Sequence, residues 1–348
     1  MNPLSKLNWH TCVLLLSTVI TLLCYVSVLI PPKHFWPVVI LSQLIPLWLI
    51  VHIIWLFILG FQLNKLAMIP LALLFAGWPF LTSTLSYTSP GASKPSTIRI
   101  LSFNTKLFRQ SKTYSKFSTE LIDWVAMDTS GIKCIQEYST NARWPDLDVT
   151  SKIKNQGYKA YTFQADLADT EHDLGMAIFS KYNLLDSGIV FQDRLTLNAA
   201  IFVDLQIEDK IIRIYNIHLA SMFIDLSQVN QLGEVKSLVS RLTRGAIKRT
   251  DQINTLIAHT KTSPHPFILC GDFNETPYGQ GYLQLSREYK NAFEEAGRGF
   301  GFTFNELPYL LRIDHQFYGS NIKAVNYSID RNIKISDHYP TFGEYLIE

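Results

Sequence analysis

The stretch that decides the fold is residues 266–274, Pro-Phe-Ile-Leu-Cys-Gly-Asp-Phe-Asn. Its apolar first half is typical of a buried strand, and Gly271 to Asn274 marks the point where that strand ends and a loop begins. A similar pattern, Ile-Lys-Ile followed by Ser-Asp-His-Tyr-Pro, occupies residues 333–340. A rigid sheet holds the polar groups at its strand ends in fixed positions. Carboxylates, an amide and an imidazole presented in this way can bind a hard cation and act on a phosphate ester.

Four further blocks of polar residues follow predicted strands. They are Leu-Ser-Phe-Asn at 101–104, Cys-Ile-Gln-Glu at 134–137, Asn-Ile-His-Leu at 216–219 and Arg-Ile-Asp-His at 312–315. A Gly-Asp pair alone favours a simple turn, and each block alone is a weak signal. Six blocks in this order form a much more specific pattern.

In this order the blocks resemble the endonuclease/exonuclease/phosphatase superfamily. That group includes DNase I-like nucleases, abasic-site endonucleases, neutral sphingomyelinases, inositol-polyphosphate 5-phosphatases and deadenylases. The resemblance covers residues 97–348, about three quarters of the chain. It implies an α/β (α+β) fold in which two sheets pack face to face with helices outside, giving four layers. Helical patterns at 117–127 and 232–259 and a hairpin pattern around 208–210 agree with this fold.

The resemblance implies a Mg²⁺ site, with Mn²⁺ as the alternative ion. By this resemblance Glu137 is the first metal ligand, supported by the amide oxygen of Asn104. Asp337 is expected to be a further carboxylate that binds the metal or positions water. His315 departs from the family pattern, where an aromatic residue such as Tyr is commoner, and we expect it to be structural.

The resemblance also implies the catalytic groups. His338 is expected to act as general base or as an imidazole that stabilises the phosphate, with Asp314 orienting it. Asp272 is expected to position or deprotonate the attacking water, or to protonate the leaving group. Asn274 is expected to hold the phosphate or to orient Asp272, and His218 to donate to a phosphate oxygen.

Charge is divided unevenly along the chain. Residues 1–90 contain three Lys and no Arg, Asp or Glu, which leaves 28 Lys and Arg (31 less 3) against 29 Asp and Glu in the remainder. A part with a net charge of −1 lacks the broad basic field of a tight, non-specific duplex binder. The basic stretch 222–249 favours a solvated helix face, with an anion-attracting flank for phosphate or lipid headgroups as the alternative.

Three long apolar segments fill the N-terminal part. We expect residues 1–87 to form a transmembrane region with helices at about 11–30, 37–59 and 66–85, because a span needs about 20 mostly apolar residues. A linker at 88–97 and a catalytic domain at 98–348 follow. The alternatives are a buried helical core or, for the first segment, a signal peptide. Its length and the absence of a small-residue cleavage pattern argue against the latter.

The few lysines of this region predict its orientation. Lys6 and Lys65 on one side outweigh Lys33 on the other, so the positive-inside rule places the N-terminus in the cytoplasm. Three spans then place the catalytic domain outside the cytoplasm. We expect an integral protein of a bacterial inner (plasma) membrane whose partners are the lipid bilayer and a phosphodiester substrate. No protein partner can be inferred.

The sequence therefore predicts a membrane-anchored, Mg²⁺-dependent phosphoesterase that hydrolyses phosphodiester bonds, with the nuclease-like branch preferred. One alternative is a sphingomyelinase-like or inositol-phosphate-type phosphoesterase that acts on lipid headgroups. The alternative of a different class is a non-catalytic, membrane-tethered binding module with the same fold. That module is disfavoured because all the central positions carry the expected residue types.

Overall fold

The structure is a computed structural model, and it describes residues 9–88, 97–110, 116–166, 172–193, 196–221, 232–307 and 311–348. Lys6, most of the predicted linker and the first part of the basic stretch lie outside the described residues. The predicted domain boundaries therefore stay predictions.

The N-terminal part is helical. Its helices are α1 (Trp9–Ser27), α2 (Val38–Gln43), α3 (Ile45–Phe61), α4 (Met68–Ala76) and α5 (Trp78–Thr84), with a 3₁₀ turn at Lys65–Ala67. The prediction of three continuous spans is wrong for the second and third segments. Pro46 and Pro79 stand in the first turns of α3 and α5, where proline is tolerated, whereas inside a continuous helix it removes a hydrogen bond.

Within the part of the chain that the structure describes, α1 alone is long and apolar enough to cross a membrane as one helix. The segments Lys65–Ala76 and Trp78–Thr84 pass the same test together, as a pair bent by 58°. Helix α3 is apolar but has 17 residues. A span needs about 20 residues, so α3 alone is short for a full crossing.

The remainder of the chain contains strands and further helices. The strands are β1 (Leu85–Tyr87), β2 (Ile98–Asn104), β3 (Ile132–Thr140), β4 (Lys159–Gln164), β5 (Asp173–Ser180), β6 (Asn183–Gln192), β7 (Ala199–Ile207), β8 (Lys210–His218), β9 (Phe267–Asp272), β10 (Lys290–Asn291), β11 (Arg298–Phe300), β12 (Asp314–Tyr318), β13 (Ile322–Ile329) and β14 (Thr341–Ile347). The helices are α6 (Thr119–Met127), α7 (Val149–Lys154), α8 (Leu232–Lys261), α9 (Gln280–Glu288) and α10 (Ala292–Ala296), with 3₁₀ turns at Lys106–Phe108 and Pro145–Leu147.

Two six-stranded sheets form the centre of this part. The first has the order β13-β14-β2-β3-β5-β4 and the second β10-β12-β9-β8-β7-β6. Apolar side chains from both sheets meet between them, among them Cys134, Ile178, Ile201, Ile214 and Cys270. Helices α6 and α7 cover the outer face of the first sheet, and α8 and α9 cover that of the second. The predicted four-layered sandwich is confirmed.

Strand pairing brings the polar strand ends together. Strand β2 runs parallel to β3, with Asn104 opposite Gln136, and β8 runs parallel to β9, with His218 opposite Asp272. Strand β12 runs antiparallel to β9, so that Asp314 at its start also lies opposite Asp272. Each sheet therefore presents its candidate functional side chains at one end of its strands.

Buried amides fix the two sheets relative to each other. Gln136 Nε2 of the first sheet donates to Asn216 Oδ1 of the second at 2.6 Å. Asn216 Nδ2 donates back to the carbonyls of Ile135 and Ala177 at 2.9 and 3.0 Å. Because polar groups buried without partners are costly, these bonds specify one alignment of the sheets.

Gly271 allows β8 and β9 to approach at the end that carries the site. Its φ is 150°, and a Cβ at this position would lie 1.9 Å from the carbonyl oxygen of Ile217. Only glycine avoids that overlap with backbone. The Gly-Asp pair of the sequence therefore reflects a close contact of two strands as well as a turn.

Candidate active site

Asp272 ends β9 and is buried. Its Oδ1 accepts the backbone N–H of Asn274 at 2.8 Å, and its Oδ2 accepts Asn274 Nδ2 at 3.2 Å. Asn274 has a φ of 49° and also donates to the carbonyl of Leu219 at 3.1 Å. This tight turn fixes the Asp272 carboxylate, and the two residues lie together as their spacing predicts.

Asn104 connects the two sheets at the site. Its Nδ2 donates to Glu137 Oε1 at 3.1 Å and to Asp272 Oδ2 at 3.0 Å. Its Oδ1 accepts the backbone N–H of Lys106 at 3.0 Å. Glu137 stands in a bulge of β3 with a φ of 44°, and its side chain is 28% exposed. Bulges and left-handed non-glycine residues concentrate at functional sites, where they re-aim side chains.

His218 faces the same two carboxylates. Its Nε2 lies 3.7 Å from both Glu137 Oε1 and Asp272 Oδ2. Its Nδ1 lies 3.2 Å from the carbonyl of Leu197, and since a carbonyl can only accept, Nδ1 carries a proton. His218 Nε2 is therefore a donor only when the ring is positively charged, and the predicted bond to a phosphate oxygen requires the imidazolium.

His338 and Asp314 form a direct pair. His338 Nδ1 lies 2.9 Å from Asp314 Oδ2, and its Nε2 lies 3.6 Å from Asp272 Oδ2. Burial alone lowers the pKa of His338, but the charges of Asp314 and Asp272 outweigh burial and raise this pKa well above its usual value. The edge of the Phe304 ring packs on the imidazole, with centroids 5.2 Å apart.

The carboxyl of Asp272 has a shifted pKa as well. Burial raises the pKa of Asp272; Asp314 adds to the rise, whereas His338 and His218 oppose it. A buried carboxylate with a raised pKa beside a charged imidazole marks this pair as a candidate for acid–base work.

The side chain of Asp337 points in a different direction from that of His338, its neighbour in sequence. Its Oδ2 lies 2.7 Å from Lys106 Nζ. A carboxylate whose charge is balanced by an ammonium group attracts a cation less strongly. The structure thus gathers six of the other predicted residues around Asp272 and places Asp337 against Lys106.

The donor set fits a hard divalent cation. The carboxylates of Glu137 and Asp272 both accept from Asn104, and in the described part of the chain no Lys or Arg forms an ion pair with either. Ligand atoms of Asp272, Asp314 and His338 also lie within 4.8 Å of one another, but the charged His338 imidazole has no lone pair for a cation. Mg²⁺ binds few carboxylates and keeps several waters, which suits a partly exposed Glu137. Asn104 turns its amide nitrogen toward Glu137 and Asp272, so its oxygen would face an ion between them only after the side-chain amide turns over.

Two further residues lie near the site, and the position of the first, Lys106, is one that the sequence alone does not reveal. Lys106 is buried, has a φ of 50° and pairs with both Asp337 and Glu306. A lysine in a polar loop carries no sequence signal of burial. His315 points to the other side of β12 from Asp314, and its Nε2 lies 2.7 Å from the carbonyl of Glu275. This placement agrees with a structural role.

Comparisons with known proteins identify the family of the larger part of the chain. Residues 101–338 match the Endonuclease/Exonuclease/phosphatase family, and residues 7–84 match a family described only as a domain of unknown function. No curated protein matches the chain.

Solved structures show the same fold. An endonuclease/exonuclease/phosphatase from Beutenbergia cavernae is similar at a TM-score of 0.55 and 13% identity, over 72% of each chain. A protein of this family from Bacteroides vulgatus is similar at 0.54 and 16%, over 72% of this chain and 99% of that one. The human Nocturnin catalytic domain, with bound sulfate, is similar at 0.51 and 16%, over 74% and 97%. The chain therefore belongs to the Endonuclease/Exonuclease/phosphatase family and is a metal-dependent hydrolase of phosphate esters.

Proposed function

We propose that this protein hydrolyses phosphodiester bonds with Mg²⁺, or with Mn²⁺ in its place, at the site around Asp272. The observation that carries the proposal is the convergence of two imidazoles on one carboxylate oxygen. His218 Nε2 and His338 Nε2 lie 3.7 and 3.6 Å from Asp272 Oδ2. A carboxylate that can accept a proton and imidazoles that can donate one therefore meet within a single pocket.

Each residue has a distinct part in this proposal. Glu137, with Asn104, would hold the ion, which when bound supplies a Lewis acid for the phosphate. Asp272, oriented by Asn274, accepts a proton from the attacking water. His338 and His218 donate to the phosphate oxygens as charge develops on them. Asp314 keeps the His338 ring charged and fixed, and we retain Asp337 as a residue that positions water.

The nuclease-like branch is our first proposal for the substrate, and a lipid headgroup is the second. The second is favoured by one observation, because Thr276 and Tyr278, which follow Asp272, contact α2 and α5. The test is an assay of the detergent-solubilised protein with Mg²⁺ or EDTA against plasmid DNA, RNA, sphingomyelin and a generic bis-phosphodiester. Mg²⁺-dependent cleavage of any of them that EDTA abolishes supports hydrolysis, and the preferred substrate selects the branch. No cleavage of any substrate would contradict the proposal.

Replacing Glu137 by Gln is expected to raise the Mg²⁺ concentration for half-maximal activity, because a neutral amide replaces an anionic ligand of a hard cation. Activity at increasing Mg²⁺ and direct Mn²⁺ binding by electron paramagnetic resonance would measure the change. Glu208→Gln is a matched control, since Glu208 lies in the turn between β7 and β8, at the far end of β8 from His218. An unchanged metal titration in Glu137→Gln would assign Glu137 to structure.

We further propose that the N-terminal helices anchor the protein in a bacterial inner membrane with the catalytic part outside the cytoplasm. An alkaline phosphatase fused after Glu348 is then expected to be active, and a fluorescent protein there to be dark. Protease added to spheroplasts should also release the catalytic part. A cytoplasmic signal at Glu348 together with protection from protease would overturn this orientation.

A further inference from the structure

We infer that the N-terminal helices form part of the active-site scaffold, because they hold the loop of residues 272–279 that carries Asp272 and Asn274. We call this segment the site loop. The inference rests on the proposed function and adds positioning residues to it, Thr276 and Tyr278 of the site loop and Gln43 and Thr84 of the helices.

The first connection joins the site loop to the end of α2. The hydroxyl of Thr276 donates to Gln43 Oε1 at 2.9 Å. Thr276 is buried and lies two residues after Asn274, whose backbone N–H holds the Asp272 carboxylate. A shift of α2 would therefore be transmitted through Thr276 to the turn that orients Asp272, because the two are close together in the chain.

The second connection joins the site loop to the end of α5. Tyr278 OH and Thr84 Oγ1 are 2.5 Å apart, and the Thr84 hydroxyl lies 2.7 Å from the carbonyl of Phe80. Since the Thr84 proton goes to that carbonyl, Tyr278 is the donor to Thr84. The Tyr278 ring is buried in an apolar cluster with Cys24, Val28, Ile45 and Leu49 of the helical part. Tyr278 is thus seated among the helices although its loop belongs to the catalytic part.

Thr84 also connects to Asp314, the carboxylate that pairs with His338. The Thr84 carbonyl accepts the N–H of Gly301 at 3.0 Å, and β1, which begins at Leu85, pairs with β11 just before Gly301. Two residues later, Thr303 Oγ1 accepts the backbone N–H of Asp314 at 3.1 Å. The carboxylate that holds His338 is therefore connected to the same helix end as Tyr278.

The catalytic part holds the middle of the site loop from the opposite side. Glu275 Oε2 lies 2.6 Å from Arg249 Nε in a buried ion pair with α8, and the carbonyl of Glu275 faces His315 Nε2 at 2.7 Å. The helices add the connections at Thr276 and Tyr278. Catalytic geometry is sensitive to displacements of about 1 Å, so losing one side of this support is expected to lower turnover. The match of residues 7–84 to a domain of unknown function ends at Thr84, and this inference assigns that domain a role.

The test is Tyr278→Phe in the full-length protein, which removes the hydroxyl and keeps the ring. We expect kcat to fall roughly fivefold, the scale of one hydrogen bond, with KM and the Mg²⁺ requirement within about twofold of wild type. Hydrogen–deuterium exchange of residues 272–279 should become faster. The matched control is Tyr289→Phe, which removes a Tyr–Thr hydrogen bond to Thr260 near the start of β9 and should change neither quantity.

Variants of the acceptor separate positioning from general loss of structure. Thr84→Val is expected to lower kcat as much as Tyr278→Phe does. Thr84→Ser, which keeps a hydroxyl, should have the kcat of the wild type. The double variant Tyr278→Phe/Thr84→Val should lose little more than either single variant, because both act through one bond. Losses that multiply in the double variant would overturn the inference.

Failure of the inference can be told from failure of the proposed function. If wild type is active and Asp272→Asn is inactive, but Tyr278→Phe has wild-type kcat and exchange, the inference is wrong and the function stands. If no substrate is cleaved, the exchange measurement still decides, since unchanged exchange of the site loop in Tyr278→Phe contradicts the inference.

Discussion

Replacing Asp272 by Asn is expected to lower kcat by about 10²–10⁴-fold while the protein stays folded, because an amide cannot take a proton from water. The variant also places an NH₂ or a weaker acceptor where Asp272 Oδ2 now accepts from Asn104 and Asn274. Steady-state kinetics with saturating Mg²⁺ would measure the loss, and circular dichroism would report the fold.

Asp186→Asn provides the matched control for this prediction. Asp186 lies on the edge strand β6, where its Oδ1 accepts only the neighbouring Ser187 N–H among the bonds described for it. The same chemical change there should leave kcat at the wild-type value. If Asp272→Asn retained activity within a few fold of wild type, Asp272 would not be the group that accepts the proton.

Replacing His338 by Ala is expected to lower kcat by about 10²–10³-fold, the cost of losing a group that stabilises developing charge. The change also removes the positive partner that Asp272 and Asp314 share, so the repulsion between these two buried carboxylates is less well balanced.

His338→Gln refines this test, since a neutral side chain can keep a hydrogen bond to Asp314 without the charge. If Gln is as inactive as Ala, the charge of His338 is what matters, and if Gln restores activity, placement of Asp314 suffices. His265→Ala is the control, because His265 lies just before β9, at the other end of that strand from Asp272. Turnover by His338→Ala close to that of the control would remove His338 from the mechanism.

Much of the fold follows from local pattern. Apolar strands that end in polar residues, such as 101–104 and 266–274, predict the strand ends at which the site residues gather. Parallel pairing then places these strand ends side by side. The strand-end positions of Asn104 and Asp272 depend on sequence neighbours alone, so the sequence contains the information needed to place them.

What the sequence does not predict depends on single dihedral angles and on distant contacts. The left-handed backbone of Lys106 buries its ammonium group against Asp337, and no composition pattern signals such a turn. Hydropathy measures apolar length without helix continuity, so the breaks before Pro46 and Pro79 escape it. The bond of Thr84 to Tyr278 joins residues 194 positions apart, and no periodicity relates them.

The pairing of β14 with β2 has a consequence for the order of synthesis. Ser336 donates to the carbonyl of Asn104 at 2.8 Å, 232 residues earlier in the chain, and β14 covers one edge of β2. During translation, the edge of β2 that pairs with β14 stays unpaired until residues 336–347 have emerged. Contacts between residues so far apart in sequence form slowly. His338 arrives with the same segment. A growing chain therefore acquires His338 and the strand that pairs with β2 in one step, and a product truncated before residue 336 lacks both.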